Sequence, residues 1–132
     1  MSLDATINKA SVLIEALPYL QSFRGHTFLI KMGGSAMEDP NLVRKVMRDI
    51  VFLEVAGINP VIVHGGGKAI SAAMKEAGLD AKFIGGFRVT TPEAIEIVEQ
   101  TLSHTINPGL VEMISEFGGK AHGIPGTDVF VG

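Results

Sequence analysis

The sequence has 132 residues, 46% of them hydrophobic, which suffices for one modest core and a single domain. A net charge of −3 and a pI near 5.7 leave no dense basic stretch to track a nucleic-acid backbone, and the lack of cysteine rules out a disulfide, a thiolate metal site and a cysteine nucleophile. No apolar run approaches the roughly 20 residues of a membrane-spanning helix, and the N-terminus lacks the basic-then-apolar order of a signal peptide, so a cytoplasmic protein with no membrane or nucleic-acid partner is expected.

Met1-Ser2-Leu3 reads as an expression remnant outside the fold. Val12, Leu13, Ala16, Leu17 and Leu20 recur with helical period and predict an N-terminal helix, which Pro18 should kink or end. Arg24-Gly25-His26 leads into a first strand over 27–32. Asp39 is a good N-cap and Pro40 a good first-turn residue for a second helix, whose stripe is Leu42, Val43, Val46, Met47, Ile50 and Val51. Gly57 is placed to stop it. The continuous apolar run of 59–63 predicts a buried parallel strand. A short helix follows over 68–77.

The segment 79–90, with Gly85-Gly86 between Phe83-Ile84 and Phe87-Arg88-Val89, predicts a strand or hairpin. Thr91-Pro92-Glu93 opens another helix. Asn107-Pro108 should break it and cap a further one that ends at Gly118-Gly119. Residues 120–124 read as a third core strand. The order predicts an α/β fold with a mainly parallel sheet sandwiched by helices. The chain stops at Gly132, just after that strand and its turn, where an open sheet normally continues. A truncated fold is therefore expected.

Two apolar strands each run straight into a glycine cluster, Met32-Gly33-Gly34-Ser35 and His64-Gly65-Gly66-Gly67-Lys68, and each cluster precedes a helical stretch. Strand, glycine turn and helix present bare backbone N–H groups to a phosphate. Neither cluster is a Walker A loop: Ile62 holds the first glycine position and Ala69 the position of the magnesium-binding Ser or Thr. Nor is the second a dinucleotide fingerprint, since Ile70 takes the third glycine's place. A lone pair of glycines would serve tight turns; two matched clusters after two strands favour phosphoryl chemistry.

Ile30-Lys31-Met32-Gly33-Gly34-Ser35-Ala36-Met37, Val63-His64-Gly65-Gly66-Gly67 and Gly86-Phe87-Arg88-Val89-Thr90 resemble the amino-acid kinase superfamily, with its carbamate kinase-like fold, and within it the acetylglutamate kinases of arginine biosynthesis. Ala16-Leu17-Pro18-Tyr19-Leu20 is similar to the extension of arginine-inhibited members, where the equivalent helix joins dimers into a ring. The resemblance implies an N-terminal helical extension over 1–26 and the acyl-amino-acid-binding portion of a kinase over 27–132, with the nucleotide-binding half beyond Gly132. It implies ATP with Mg2+ in the complete enzyme, N-acetyl-L-glutamate as substrate, arginine as a feedback inhibitor, and a homo-oligomer.

Residue by residue, the resemblance assigns Lys31 to charge stabilisation at the transferring phosphoryl group. It assigns Gly33, Gly34, Gly66 and Gly67 to the phosphates. Gly66, Gly67 and Arg88 fall to the acyl amino acid, with Arg88 on a carboxylate. The physical fit is good, because phosphoryl transfer asks mainly for positioning and charge stabilisation and a guanidinium matches a carboxylate bidentately. Lys31 as a solvent-facing strand-end lysine and Arg88 as an exposed hairpin charge are the bland alternatives. His64 is read as structural rather than metal-binding, Lys68 as facing solvent, and Asp128 as capping or turn-forming as readily as contacting substrate. Pro108 stands where family members usually carry lysine, and Gly126-Thr127-Asp128-Val129 departs from the usual glycine-lysine-aspartate-glycine. Taken alone, the chain is expected to be an inactive part of a kinase. Another amino-acid kinase, or a non-catalytic binding or oligomerisation module, is the alternative.

Overall fold

The computed structural model describes residues 2–130. Its elements are α1 (Leu3–Phe23), β1 (Thr27–Met32), α2 (Pro40–Val55), β2 (Asn59–His64), α3 (Gly67–Glu76), β3 (Phe83–Ile84), β4 (Phe87–Arg88), α4 (Pro92–Thr101) and α5 (Asn107–Glu116). β1 and β2 pair in parallel, Thr27 opposite Asn59 and Met32 opposite His64. Parallel strands need a long crossover, and α2 supplies it. Its start is fixed locally: Asp39 Oδ1 accepts from the Asn41 N–H at 2.9 Å and from the Leu42 N–H at 3.4 Å, with Pro40 in the first turn. Gly57, at φ +86°, turns the chain out of α2 in a conformation that disfavours a side chain.

Alternation along the strands divides the sheet into two unlike faces. Met32, with Ile30 and Ile62 beside it, packs on Val43, Met47, Ile50 and Val51 of α2 and on Leu110 and Ile114 of α5. On the other face Leu29 is 71% exposed, and Val61 and Val63 are about half exposed. Helices cover the parallel pair on one face only. A second cluster joins Ile70 and Met74 of α3 to Ala94 of α4. α2 and α5 are further tied by the Arg44–Glu116 ion pair, and the Arg44 guanidinium lies 4.7 Å from the Phe117 ring centre. The β3–β4 hairpin is antiparallel with Phe83 opposite Arg88, and its central Gly85 and Gly86 have φ of +58° and +84°, as a primed two-residue turn requires.

Five expectations need correction. The strand over 59–63 is parallel but not buried, since Val61 and Val63 on its open face are about half exposed. Ser2 and Leu3 belong to the fold: α1 begins at Leu3, and Ser2 Oγ caps it by accepting from the Ala5 N–H. Pro18 does not end α1, which runs to Phe23. The helix is exposed around it, so the Ile14 carbonyl that Pro18 leaves without a donor can bind water. Asn107-Pro108 does not break the chain between α4 and α5. A π turn over Leu102–Ile106 joins them, with the Asn107 N–H donating to the Leu102 carbonyl, and Pro108, which has no N–H to donate, follows directly after Asn107. Finally, residues 120–124 form no strand. The Lys120 N–H donates to the Glu54 carboxylate at 3.1 Å, and Asn107 Nδ2 donates to the Ile124 carbonyl at 3.2 Å. Helical side chains, rather than a strand edge, hold this segment.

Candidate phosphate and carboxylate site

The register of the parallel pair puts both glycine turns at one edge of the sheet. Met32 and His64 are opposite each other, so both chains leave the sheet together, and the Gly65 N–H donates to the Met32 carbonyl at 2.9 Å. Gly34 has φ +59° and opens a 3-10 turn over Gly34–Met37. The second turn feeds α3, whose first residue is Gly67. Backbone N–H groups in a first helical turn have no partner within the helix, and the helix dipole adds to their pull on an anion.

The two glycines before and at the start of α3 differ in surroundings. A Cβ on Gly66 would stand 2.5 Å from Ile106 Cδ1 and 2.9 Å from Leu102 Cδ2. Gly66 thus lets the loop lie against the π turn. A Cβ on Gly67 would meet nothing within 4 Å and would point into open space. Gly67 also lines a cleft of about 860 Å³, within the usual range of small-molecule sites. Gly34, Gly66, Gly67, Ser71, Phe83 and Arg88 line it, over an apolar floor that includes Ile106, Leu110 and Met113.

Arg88 reaches this cleft from β4. Its Nη2 donates to Ser71 Oγ at 2.7 Å and to the Gly67 carbonyl at 3.0 Å, its Nη1 lies 3.1 Å from Met74 Sδ, and its guanidinium sits 4.8 Å from the Phe83 ring centre. The hairpin's register explains the stacking, since Phe83 is directly opposite Arg88. Lys68, at the cleft mouth, pairs with Glu38 beyond the first glycine turn, bridging the two turns. Its side chain is still mostly exposed.

Of the residues singled out in the sequence, Gly34, Gly66, Gly67 and Arg88 share this cleft. Gly33 lies just behind it, close to Gly65: a Cβ on Gly65 would be 3.9 Å from Gly33 Cα. Lys31 does not line the cleft. It is exposed, opposite Val63 in the register, and on the open face of the sheet with Leu29. His64 Nδ1 lies 3.2 Å from the Gly65 carbonyl, as a structural histidine would. Asp128 closes a 3-10 turn over Gly126–Asp128, its N–H donating to the Pro125 carbonyl. Ser71 and Phe83 were not expected. The spacing does carry Ser71, one helical turn after Gly67, and the hairpin register carries Phe83.

Among the described residues no three or more His, Asp or Glu side chains converge as a metal cage would require. Magnesium brought in with a nucleotide would take its ligands chiefly from phosphate and water, as that ion commonly does.

The amino acid kinase family profile matches residues 26–131. Over 126 residues the chain is 71% identical to an acetylglutamate kinase of Akkermansia muciniphila, covering 96% of this chain and 42% of that protein. An acetylglutamate kinase of Caldanaerobacter subterraneus subsp. tengcongensis is 52% identical over 122 residues, covering 92% of this chain and 41% of that one. Among solved structures, an N-acetylglutamate synthase from Neisseria gonorrhoeae, complexed with coenzyme A and N-acetyl-glutamate, superposes with a TM-score of 0.65 at 22% identity, over 89% of this chain and 26% of that one. That likeness is one of fold. The chain spans about two fifths of the length of the curated relatives it matches.

Proposed function

The chain belongs to the amino acid kinase family, and from that premise we propose that it supplies the acyl-amino-acid side and one phosphate cradle of an acetylglutamate kinase, which transfers a phosphoryl group from ATP to the side-chain carboxylate of N-acetyl-L-glutamate. The observation that carries this reading is the shared cleft: a guanidinium suited to a carboxylate and an open helix N-terminus suited to a phosphate line the same space.

ATP supplies the phosphoryl group, and the Mg2+ that travels with its phosphates offsets their charge. The residues of this chain bind and orient. Arg88 holds one carboxylate of the acyl amino acid, so that the other faces the helix end. Gly67 and the N–H groups after it take phosphate oxygens, and Gly33 and Gly34 take them from the other turn. Positioning of this kind supplies much of the rate in phosphoryl transfer. No side-chain nucleophile is required, because the substrate carboxylate itself attacks phosphorus while the bond to ADP breaks. Lys31 contributes charge from the end of β1, two residues before Gly33. A homo-oligomer, cytoplasmic location and feedback inhibition by L-arginine complete the proposal.

The test is ATP-dependent acyl-phosphate formation by the full-length gene product, trapped with hydroxylamine. N-acetyl-L-glutamate is expected to give hydroxamate, and added L-arginine to suppress it. Faster product from L-aspartate, L-glutamate or carbamate would assign the protein to another branch of the family.

A further inference from the structure

Arg88 is held in place before any carboxylate arrives. Ser71 Oγ donates to the Gly67 carbonyl at 2.9 Å and accepts from Arg88 Nη2 at 2.7 Å, while the same Gly67 carbonyl accepts from Nη2 at 3.0 Å. The hydroxyl proton is therefore spent on the backbone, which leaves an oxygen lone pair for the arginine. Both Nη2 protons are committed by this triangle. The Phe83 ring limits the guanidinium from one face, and among the described residues Nη1 meets the Met74 sulfur, a weak acceptor. Both two-donor edges of the guanidinium include Nη2, so an incoming carboxylate meets single donors, the Nη1 N–H groups and the Nε–H, unless it displaces one arm of the triangle.

Resting on the reading of Arg88 as a carboxylate clamp, we propose that Ser71 is a positioning residue that holds the Arg88 guanidinium in its binding orientation. Ser71 lies on α3, one turn after Gly67, and lines the cleft. An arginine otherwise free to sample many rotamers is immobilised in the empty site, so ligand binding loses less side-chain entropy. The triangle also ties the clamp to the phosphate turn through one carbonyl, so substrate and phosphate sites are set by a common anchor.

The experiment compares S71A, S71T and R88A in the full-length gene product, with KM and kcat measured separately for N-acetyl-L-glutamate and ATP. Loss of one hydrogen bond to a charged group predicts a rise of about tenfold in the N-acetyl-L-glutamate KM for S71A. The change in kcat should be smaller, the ATP KM nearly unmoved, and S71T should recover most of the loss. Nitrogen NMR of the Arg88 side chain without ligand adds a readout that needs no turnover: slow Cζ–Nη rotation in the parent, averaged in S71A. An unmoved KM in S71A beside a large rise in R88A would overturn the positioning role while leaving the clamp intact. So would a KM in S71T as high as in S71A. A silent R88A would overturn the clamp reading itself, and the role of Ser71 with it.

Discussion

Gly66 and Gly67 are neighbours with different reasons to lack a side chain. A methyl group at 66 would collide with Ile106 and Leu102, both packed in the helical layer. Gly66→Ala should therefore cost about 1–3 kcal/mol of stability, the usual penalty for overpacking, seen as a lower denaturant midpoint at unchanged slope. Gly67→Ala meets nothing and sits at a helix start, so its melting should match the parent while anion binding in the cleft weakens, as read by calorimetry with ATP. Arg88→Ala should weaken N-acetyl-L-glutamate binding by about 2–5 kcal/mol if the carboxylate pair is desolvated, with ATP affinity little changed. Lys31→Met should lower turnover of the full-length gene product by at least about a hundredfold, as removal of one preorganised electrostatic group does. Near-normal turnover would leave Lys31 a surface lysine, consistent with its exposure on the open sheet face. The glycine turns and Arg88 were legible because each follows a strand or sits in a glycine-flanked hairpin. The triangle around Arg88 was not, because it depends on how α3 and the hairpin pack, and neither local sequence encodes that distance.

At the scale of elements, α1 stands apart. None of its residues is buried, and Val12, Leu13 and Ile14 are each about two-thirds exposed. Most helical stability in proteins comes from tertiary packing, and α1 has no buried residue, so a partner for its apolar stripe is expected. A second copy of the chain is the expected partner, and deleting residues 1–22 should lower the mass measured by light scattering; an unchanged oligomer would place the stripe on its own subunit. The start of α4 offers a pH test. The Glu93 pKa is lowered by its own backbone N–H and by the Thr91 hydroxyl. A depressed carboxylate stabilises the fold above its unfolded value, near 4.5, and that contribution is lost as pH falls through the folded value. Glu93→Gln should flatten that part of the acid melting curve and slightly lower stability at neutral pH, where the charged form's contribution is present. Caps, strands and stop glycines were readable here because each acts within a few residues. The π turn was not, since Asn107-Pro108 has the local signature of a helix break. The strand expected over 120–124 failed for a different reason: Lys120-Ala121-His122-Gly123-Ile124 carries no alternating or continuous apolar pattern, and side chains of α2 and α5 take its backbone groups instead.

For the whole molecule, the division of the sheet into covered and open faces sets what these 132 residues can do alone. The core lies between α2, α5 and one face of the parallel pair. Leu29, Val61 and Val63 on the other face, together with the stripe of α1, leave apolar surface of the kind that binds another chain or aggregates. The cleft offers one phosphate cradle and one carboxylate clamp, while the kinases it matches are more than twice its length. The isolated 132-residue chain should therefore self-associate, bind ATP weakly at most, and fail to sustain N-acetyl-L-glutamate phosphorylation. N-acetyl-L-glutamate binding, which depends on Arg88 and the α3 turn, should be the activity that survives best. Steady-state turnover on chain of verified mass decides the matter. A rate near 1 s⁻¹ or above, within the ordinary enzyme range, would mean that the cleft closed by Arg88 and the two glycine turns is a complete kinase site.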